Sequence, residues 1–178
     1  MLQVKFFRFL SALFTLLLTI WLFQPQRRYF YQAIDFSDVL KLSFPFLLLG
    51  FIAYPLGNDI YLYLHYGSMK LHGLNPFIYR AGSFRSEFYE FLRWRQSSTY
   101  GPVSMAFFVT SAAVAPSSKL LAIYIFKGFC LVAHLLNSYL IFHLLKKDCY
   151  TEKITLAYLC NPLILFEQVG SAHVDVFV

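Results

Sequence analysis

Five apolar runs recur along this chain, and they leave little sequence from which a soluble core and its polar shell are built. They cover residues 9–23, 42–56, a charge-free stretch 96–118, 120–145 and 154–166. The second contains Pro45 and Pro55, and the fourth is interrupted by a single charge, Lys127. Runs of this kind need a solvent that tolerates apolar surface. The composition agrees, with 58% hydrophobic and only 13% charged residues, against roughly 45–50% and about 25% in soluble domains. We therefore expect an all-α integral membrane protein: a polytopic, multi-pass helix bundle. A full crossing takes about 20 apolar residues, and several runs are shorter. Kinked or re-entrant helices are expected among them. The 21 Phe and 13 Tyr suit bilayer interfaces.

Lys5 and Arg8 precede the first run, as in a signal peptide, but Gln24-Pro25-Gln26-Arg27-Arg28 follows without a small-residue cleavage site. The run reads as an uncleaved anchor. The net charge of +6 is spread mostly between apolar runs. It fits membrane topology and anionic headgroups, with membrane lipid as a partner and nucleic acid excluded. Cys130 and Cys160 lie in apolar runs and Cys149 in a charged loop. Their odd number and spacing argue against a disulfide framework or a metal cluster.

Residues 57–99 form the one long polar segment, read as an extramembrane loop with amphipathic helices inside a single membrane domain, 1–178. Gly57-Asn58 before Asp59 predicts a helix start, and Gly73 with Asn75-Pro76 predicts its end. Asp59, Tyr63, Tyr66 and Lys70 then share one helical face. Beyond it, Arg80, Arg85, Glu87, Glu90, Arg93 and Arg95 interleave with Phe84, Phe88, Phe91, Leu92 and Trp94. That pattern predicts an amphipathic helix on the membrane surface. The chain closes inside a new apolar run, Val174 to Val178, as expected of a fragment or a truncated gene product.

Three groups carry chemical potential. Asp59, at the junction of an apolar run and a helix, has the position of a general base in a dry cleft, and equally that of a helix N-cap. His173 and Asp175 follow the fifth run, where ionisable residues are functional candidates; the alternative is an ordinary loop end. Glu167 reads as an interface residue or hydrogen-bond partner. Arg80, Arg85, Arg93 and Arg95 suit a phosphate by their guanidinium forks, or else simple attraction to a membrane surface. Lys127, His134 and Asn137 form a polar stripe on the fourth run, read as hydrogen-bonding structure facing other helices or a cavity. Tyr100-Gly101-Pro102 and Asn161-Pro162 read as helix-entry or kink devices. Without GxGxxG, a P-loop or a Cys/His cluster, nucleotide phosphoryl transfer and zinc chemistry have no support.

The order of these pieces is informative. Asn58-Asp59-Ile60-Tyr61-Leu62-Tyr63 leads to Gly73-Leu74-Asn75-Pro76-Phe77, then Thr99-Tyr100-Gly101-Pro102, then Asn161-Pro162-Leu163-Ile164-Leu165-Phe166-Glu167 closing in Ala172-His173-Val174-Asp175. Over roughly residues 40–178 this resembles the N-terminal part of the C-type glycosyltransferase superfamily, nearest the polyprenol-phosphomannose-dependent alpha-mannosyltransferases. The resemblance implies a larger multi-helix membrane transferase, placed in the plasma (inner) membrane, with its site on the non-cytoplasmic face. It would move a hexose, mannose by resemblance, from a polyprenyl-phosphate donor to a lipid-linked or cell-envelope glycan acceptor. It assigns Asp59 as catalytic base and places His173 and Asp175 near the donor; Arg80, Arg85 and Tyr63 complete the candidate substrate-binding set. No cofactor is implied beyond the donor itself, and metal dependence stays open. Leu62 and Phe77 depart from the pattern, where Arg and Tyr occur in other members, and leave the acceptor and sugar undefined. The rival readings are a non-enzymatic transporter fragment or accessory subunit, and an inactive truncated remnant.

One conflict is visible in advance. If every run crosses fully, three crossings separate Asp59 from His173 and Asp175, placing them on opposite faces. One run must fail to cross for a single site to form, and the short fifth run is the natural choice. Arg27, Arg28 and Lys41 put the loop after the first run in the cytoplasm, whereas Lys146, Lys147 and Lys153 pull the other way unless a run fails to cross.

Overall fold

A computed structural model describes residues 35–55, 57–146 and 150–177. The first apolar run, Arg27, Arg28, Lys147 and Cys149 lie outside the described residues. The described chain is helical: α1 (Phe36–Ile52), α2 (Asp59–Leu71), α3 (Pro102–Ala112), α4 (Lys119–Leu144), α5 (Thr151–Leu159) and α6 (Pro162–Ile164), the last continuing into a π-helical turn, Leu165–Gly170. Among the described residues, only α4 is long and apolar enough to cross a membrane. Its 26 residues extend about 39 Å at 1.5 Å per residue. The expectation of about five membrane segments therefore rests on one such helix here.

Local chemistry accounts for most boundaries. Gly101 and Pro102 open α3 with Pro at its first position, where its missing N–H costs nothing. Ser118 caps α4 by accepting the Leu121 N–H. Asn161 ends the run from α5 and restarts it: its Oδ1 accepts from Leu163 and Ile164 N–H at 3.0 and 3.3 Å. The end of α2 is a Schellman turn. Leu74 N–H reaches Met69 O and Gly73 N–H reaches Lys70 O, with Gly73 at φ +79°, the left-handed geometry that glycine accepts without strain.

α4 is the spine. Its first half (Ala122, Ile123, Phe126, Cys130) joins a core with Ile60, Tyr63 and Met69 of α2, Phe108 of α3, and Val174 and Val176. Its second half packs, through Leu131, Leu135 and Phe142, on Val39 and Leu47 of α1, on Leu156 and Leu159 of α5, and on Leu165 and Val169. The opposite face of α4 exposes Leu120, Val132, Leu136, Leu140 and Leu144, and α1 exposes Leu42, Phe44, Leu49 and Ile52. Outward apolar surface on this scale is what lipid or further protein covers.

The path of the chain brings Asp59 and His173 to one end. The third run yields only the 11-residue α3, about 16 Å long and short of the roughly 30 Å hydrocarbon core. The fifth run is the one that returns. Leu145 O receives the Thr151 hydroxyl, His134 stacks on Tyr158, and Lys127 meets Gly170 O, so 151–170 runs antiparallel to α4. Between Asp59 and His173 the chain traverses the length of α4 twice, once out and once back. An even number of passes brings both to the same end.

The polar loop also departs from expectation. Residues 84–95 do not form the amphipathic helix; short 3₁₀ turns, Ala81–Ser83 and Tyr89–Phe91, take its place. The reason is tertiary. His65, fully buried on α2, donates from Nε2 to Ala81 O at 2.9 Å and accepts at Nδ1 from the Ser86 hydroxyl at 2.6 Å. Ser86 Oγ in turn accepts the Phe88 N–H. Tyr66 donates to Gln96 O, and Ser98 N–H to Pro76 O. These partners hold the loop across α2, whose side chains from Ile60 to Met69 are all buried, so α2 is a core helix and not a surface one.

His65 makes the loop acid-sensitive. Burial holds its imidazole below the usual pKa, against the opposing pulls of the Ala81 carbonyl and Glu87. The unfolded chain therefore binds the proton more readily. The stability contributed by neutral His65 is full above about pH 6.5 and declines as pH falls from there toward the folded-state value. We expect a lower unfolding midpoint at pH 5 than at pH 7.5. His65→Gln keeps an Nε2 donor but cannot titrate, and should flatten that dependence. An equal acid loss in both proteins would assign the effect elsewhere.

Candidate active site

Asp59 is the first residue of α2, and Asn58 before it occupies the cap position without a side-chain cap bond. The carboxylate is thus not consumed as a helix cap. It turns instead toward the far end of the chain: Asp59 Oδ2 lies 3.3 Å from His173 Nε2, and His173 Nδ1 lies 3.2 Å from Asp175 Oδ2. One imidazole stands between two carboxylates contributed by segments over a hundred residues apart. Both contacts are at ion-pair distance. The side chains of Asp59 and His173 are 40% and 30% exposed, and that of Asp175 is 76% exposed, so Asp59 keeps an open side on which a ligand can reach it.

The backbone that carries His173 is unusual. The π-helical turn ends at Gly170, and Ser171 N–H closes on Phe166 O at 2.7 Å. Ala172, fully buried, takes φ +55°, a left-handed conformation that non-glycine residues seldom occupy. His173 N–H then donates to Glu167 O at 2.9 Å, so Glu167 serves the turn through its carbonyl while its side chain is exposed. π-turns and left-handed non-glycine residues both concentrate at functional sites.

Aromatic rings form the floor. Tyr63, one turn along α2 from Asp59, stands edge-on to His173 with centroids 6.2 Å apart. It stacks on Phe108 at 5.0 Å and meets Tyr100 and Phe126 edge-on. Its side chain is fully buried, packed against His173 within the core. Burial drives the Tyr63 phenol well above its ordinary range, with Tyr100 and the Asp59 charge adding to the effect. It stays a neutral hydroxyl.

The arginines are elsewhere. Arg80 and Arg85 are exposed, and neither forms an ion pair with Asp59, His173 or Asp175. The Arg85 and Arg95 guanidinium carbons both sit over the Tyr89 ring, at 5.2 and 5.4 Å. That segment packs on the His65 side of α2, so the predicted phosphate-binding residues do not join the cluster. Among the described residues, no group of three or more His, Cys, Asp or Glu is arranged to hold a metal ion. Chemically, the site offers a carboxylate beside an imidazole, open on one side.

Sequence reasoning saw the polar stripe on α4 but not what it grips. Lys127 Nζ donates to Gly50 O (3.2 Å), Ala53 O and Gly170 O (3.1 Å). His134 bonds Gln168 Oε1 at 2.9 Å, and Asn137 donates to Val176 O at 3.2 Å. Gln168 has no signal in the sequence beyond its place next to Glu167.

The sequence model described as Alpha-(1->6)-mannopyranosyltransferase, N-terminal domain (the MptA_B family), matches residues 4–178. No curated protein and no solved structure matches the chain.

Proposed function

The chain belongs to the alpha-(1->6)-mannopyranosyltransferase family, and on that premise we propose that it forms the base-bearing part of a polyprenyl-phosphate-dependent mannosyltransferase in the plasma membrane. The observation that carries this reading is the pairing of Asp59 with His173, which gathers the two polar motifs of the chain into one open cluster. In the proposed step, Asp59 accepts the proton of an acceptor hydroxyl as that oxygen bonds to the sugar's anomeric carbon. The carbon–oxygen bond to the polyprenyl phosphate breaks, and the phosphate leaves with the electron pair. The transition state has oxocarbenium character. The phosphate is a good leaving group, so the step demands a base rather than a strong acid. His173, between the carboxylates, orients Asp59 and shields it from the second charge of Asp175.

The acceptor is a lipid-linked or cell-envelope glycan. Lys41, Lys146 and Lys153 lie toward the end of α4 remote from Asp59, which favours a cytoplasmic placement for that end and an external one for the site. The loop arginines weigh the other way, so the placement leans on the family. The decisive experiment supplies membranes containing the protein with radiolabelled polyprenyl-phosphate mannose or with a mannose nucleotide, plus a glycan acceptor. Label should pass to the acceptor from the lipid donor alone. Equal transfer from the nucleotide, with lipid-donor synthesis blocked, would overturn the donor assignment.

A further inference from the structure

Buried deep in the apolar spine is a lysine amine. Lys127 is completely buried, and its ammonium is surrounded by three carbonyls: Gly50 and Ala53 at the C-terminal end of α1, and Gly170 at the end of the π-turn. Helix C-termini present unsatisfied carbonyls and partial negative charge, so the ammonium is matched to its site. Even so, a buried charge is a poor way to gain stability, because an apolar side chain of similar volume avoids the desolvation penalty. What a buried cation on three fixed oxygens does supply is a defined register between elements. Ten residues along the same helix, Asn137 holds Val176 O. Gly170 and Val176 lie three residues before and three residues after His173.

We propose that Lys127 and Asn137 are positioning residues, gripping the backbone on both sides of His173 from α4 and so setting its imidazole 3.3 Å from Asp59. Between the two grips Ala172 sits at φ +55°, a conformation that persists only where the surroundings impose it. Release of either carbonyl lets the turn relax, and His173 moves relative to a carboxylate on a different helix. The inference rests on the transferase reading above.

The test is a double-mutant cycle in membranes with the lipid-linked donor. Lys127→Met should lower kcat about 10- to 100-fold and Asn137→Ala about 10-fold, the scale of an ångström of misplacement, with KM little changed. In a His173→Ala background both effects should shrink to within about twofold, because the group they position is gone. A purely structural role predicts the same fold-loss in both backgrounds, and that result would overturn the proposal. If Lys127→Met does not accumulate in membranes, Asn137→Ala decides alone by the same comparison. Asp59→Asn is run alongside. Full transfer by Asp59→Asn would remove Asp59 as the base and the positioning with it, no transfer by the parent protein from the lipid-linked donor would remove the transferase reading, and lost transfer by Asp59→Asn with additive Lys127 and Asn137 effects would remove the positioning alone.

Discussion

Asp59→Asn should abolish most sugar transfer, lowering kcat by about 10²–10⁴, the usual contribution of a positioned general base. The amide has nearly the carboxylate's shape, so donor and acceptor binding should change little. Loss of folding cannot account for a drop of that size. Asp59 sits in the first turn of α2, where a negative charge contributes only about 0.3–1 kcal/mol through the helix dipole, and its partly exposed pairing with His173 adds little. The unfolding midpoint of the variant should therefore stay close to that of the parent while transfer fails. His173→Ala should fall between the two, since it leaves the base in place but unsupported. Asp175→Asn should matter least, its side chain being mostly in solvent. Wild-type transfer by Asp59→Asn would mean that the carboxylate is a structural feature of the α2 entrance and that the proton leaves by another route.

Gly67→Ala should be the most damaging single methyl in the described structure. A Cβ at Gly67 would lie 2.2 Å from Phe108 O, 2.5 Å from Phe108 C and 2.8 Å from Ala112 Cβ. Two of these atoms are backbone and cannot rotate away, so α2 and α3 must separate. Helix propensity acts in the opposite direction, favouring alanine by about 1 kcal/mol. Overpacking of a core typically costs about 1–3 kcal/mol where side chains adjust; here they cannot, and the clash wins. The separation also undoes the Tyr63–Phe108 stack beneath His173, so transfer should fall with stability. Gly128→Ala is the control. On α4 its added Cβ meets nothing within 4 Å, and propensity alone should leave the protein unharmed or slightly more stable. Thermal unfolding in detergent compares the two directly, and equal midpoints would show that α2 and α3 approach less closely than described.

The protein's sequence was a good guide wherever the signal was local. Asp59 opens α2 and Gly73 closes it, as the Asn58 and Asn75-Pro76 punctuation predicts, because caps and left-handed turns depend on a few neighbouring residues. The entry devices at Gly101-Pro102 and Asn161-Pro162 were readable for the same reason. The apolar runs gave the all-helical class and the long helix α4. The resemblance in motif order gave the family, and the sequence model of that family matches nearly the whole chain.

Other features depend on where distant segments meet. Phe84, Phe88 and Leu92 have helical spacing, yet His65 and Ser86 draw that stretch into turns, since one buried histidine with two good partners outweighs a marginal surface helix. The third apolar run looks as able to cross as the others, but it folds as 11 residues of helix, and Asp59 meets His173 because residues 151–170 return along α4. Tyr63 shares a face with Asp59 in any helical projection. Only packing shows that its hydroxyl is buried, that the arginines lie on the other side of α2, and that Lys127 fastens α1 to the turn carrying His173. Sequence thus determined the elements and the residues capable of chemistry; the tertiary structure decided which of them meet, because that meeting depends on contacts between segments far apart in the chain.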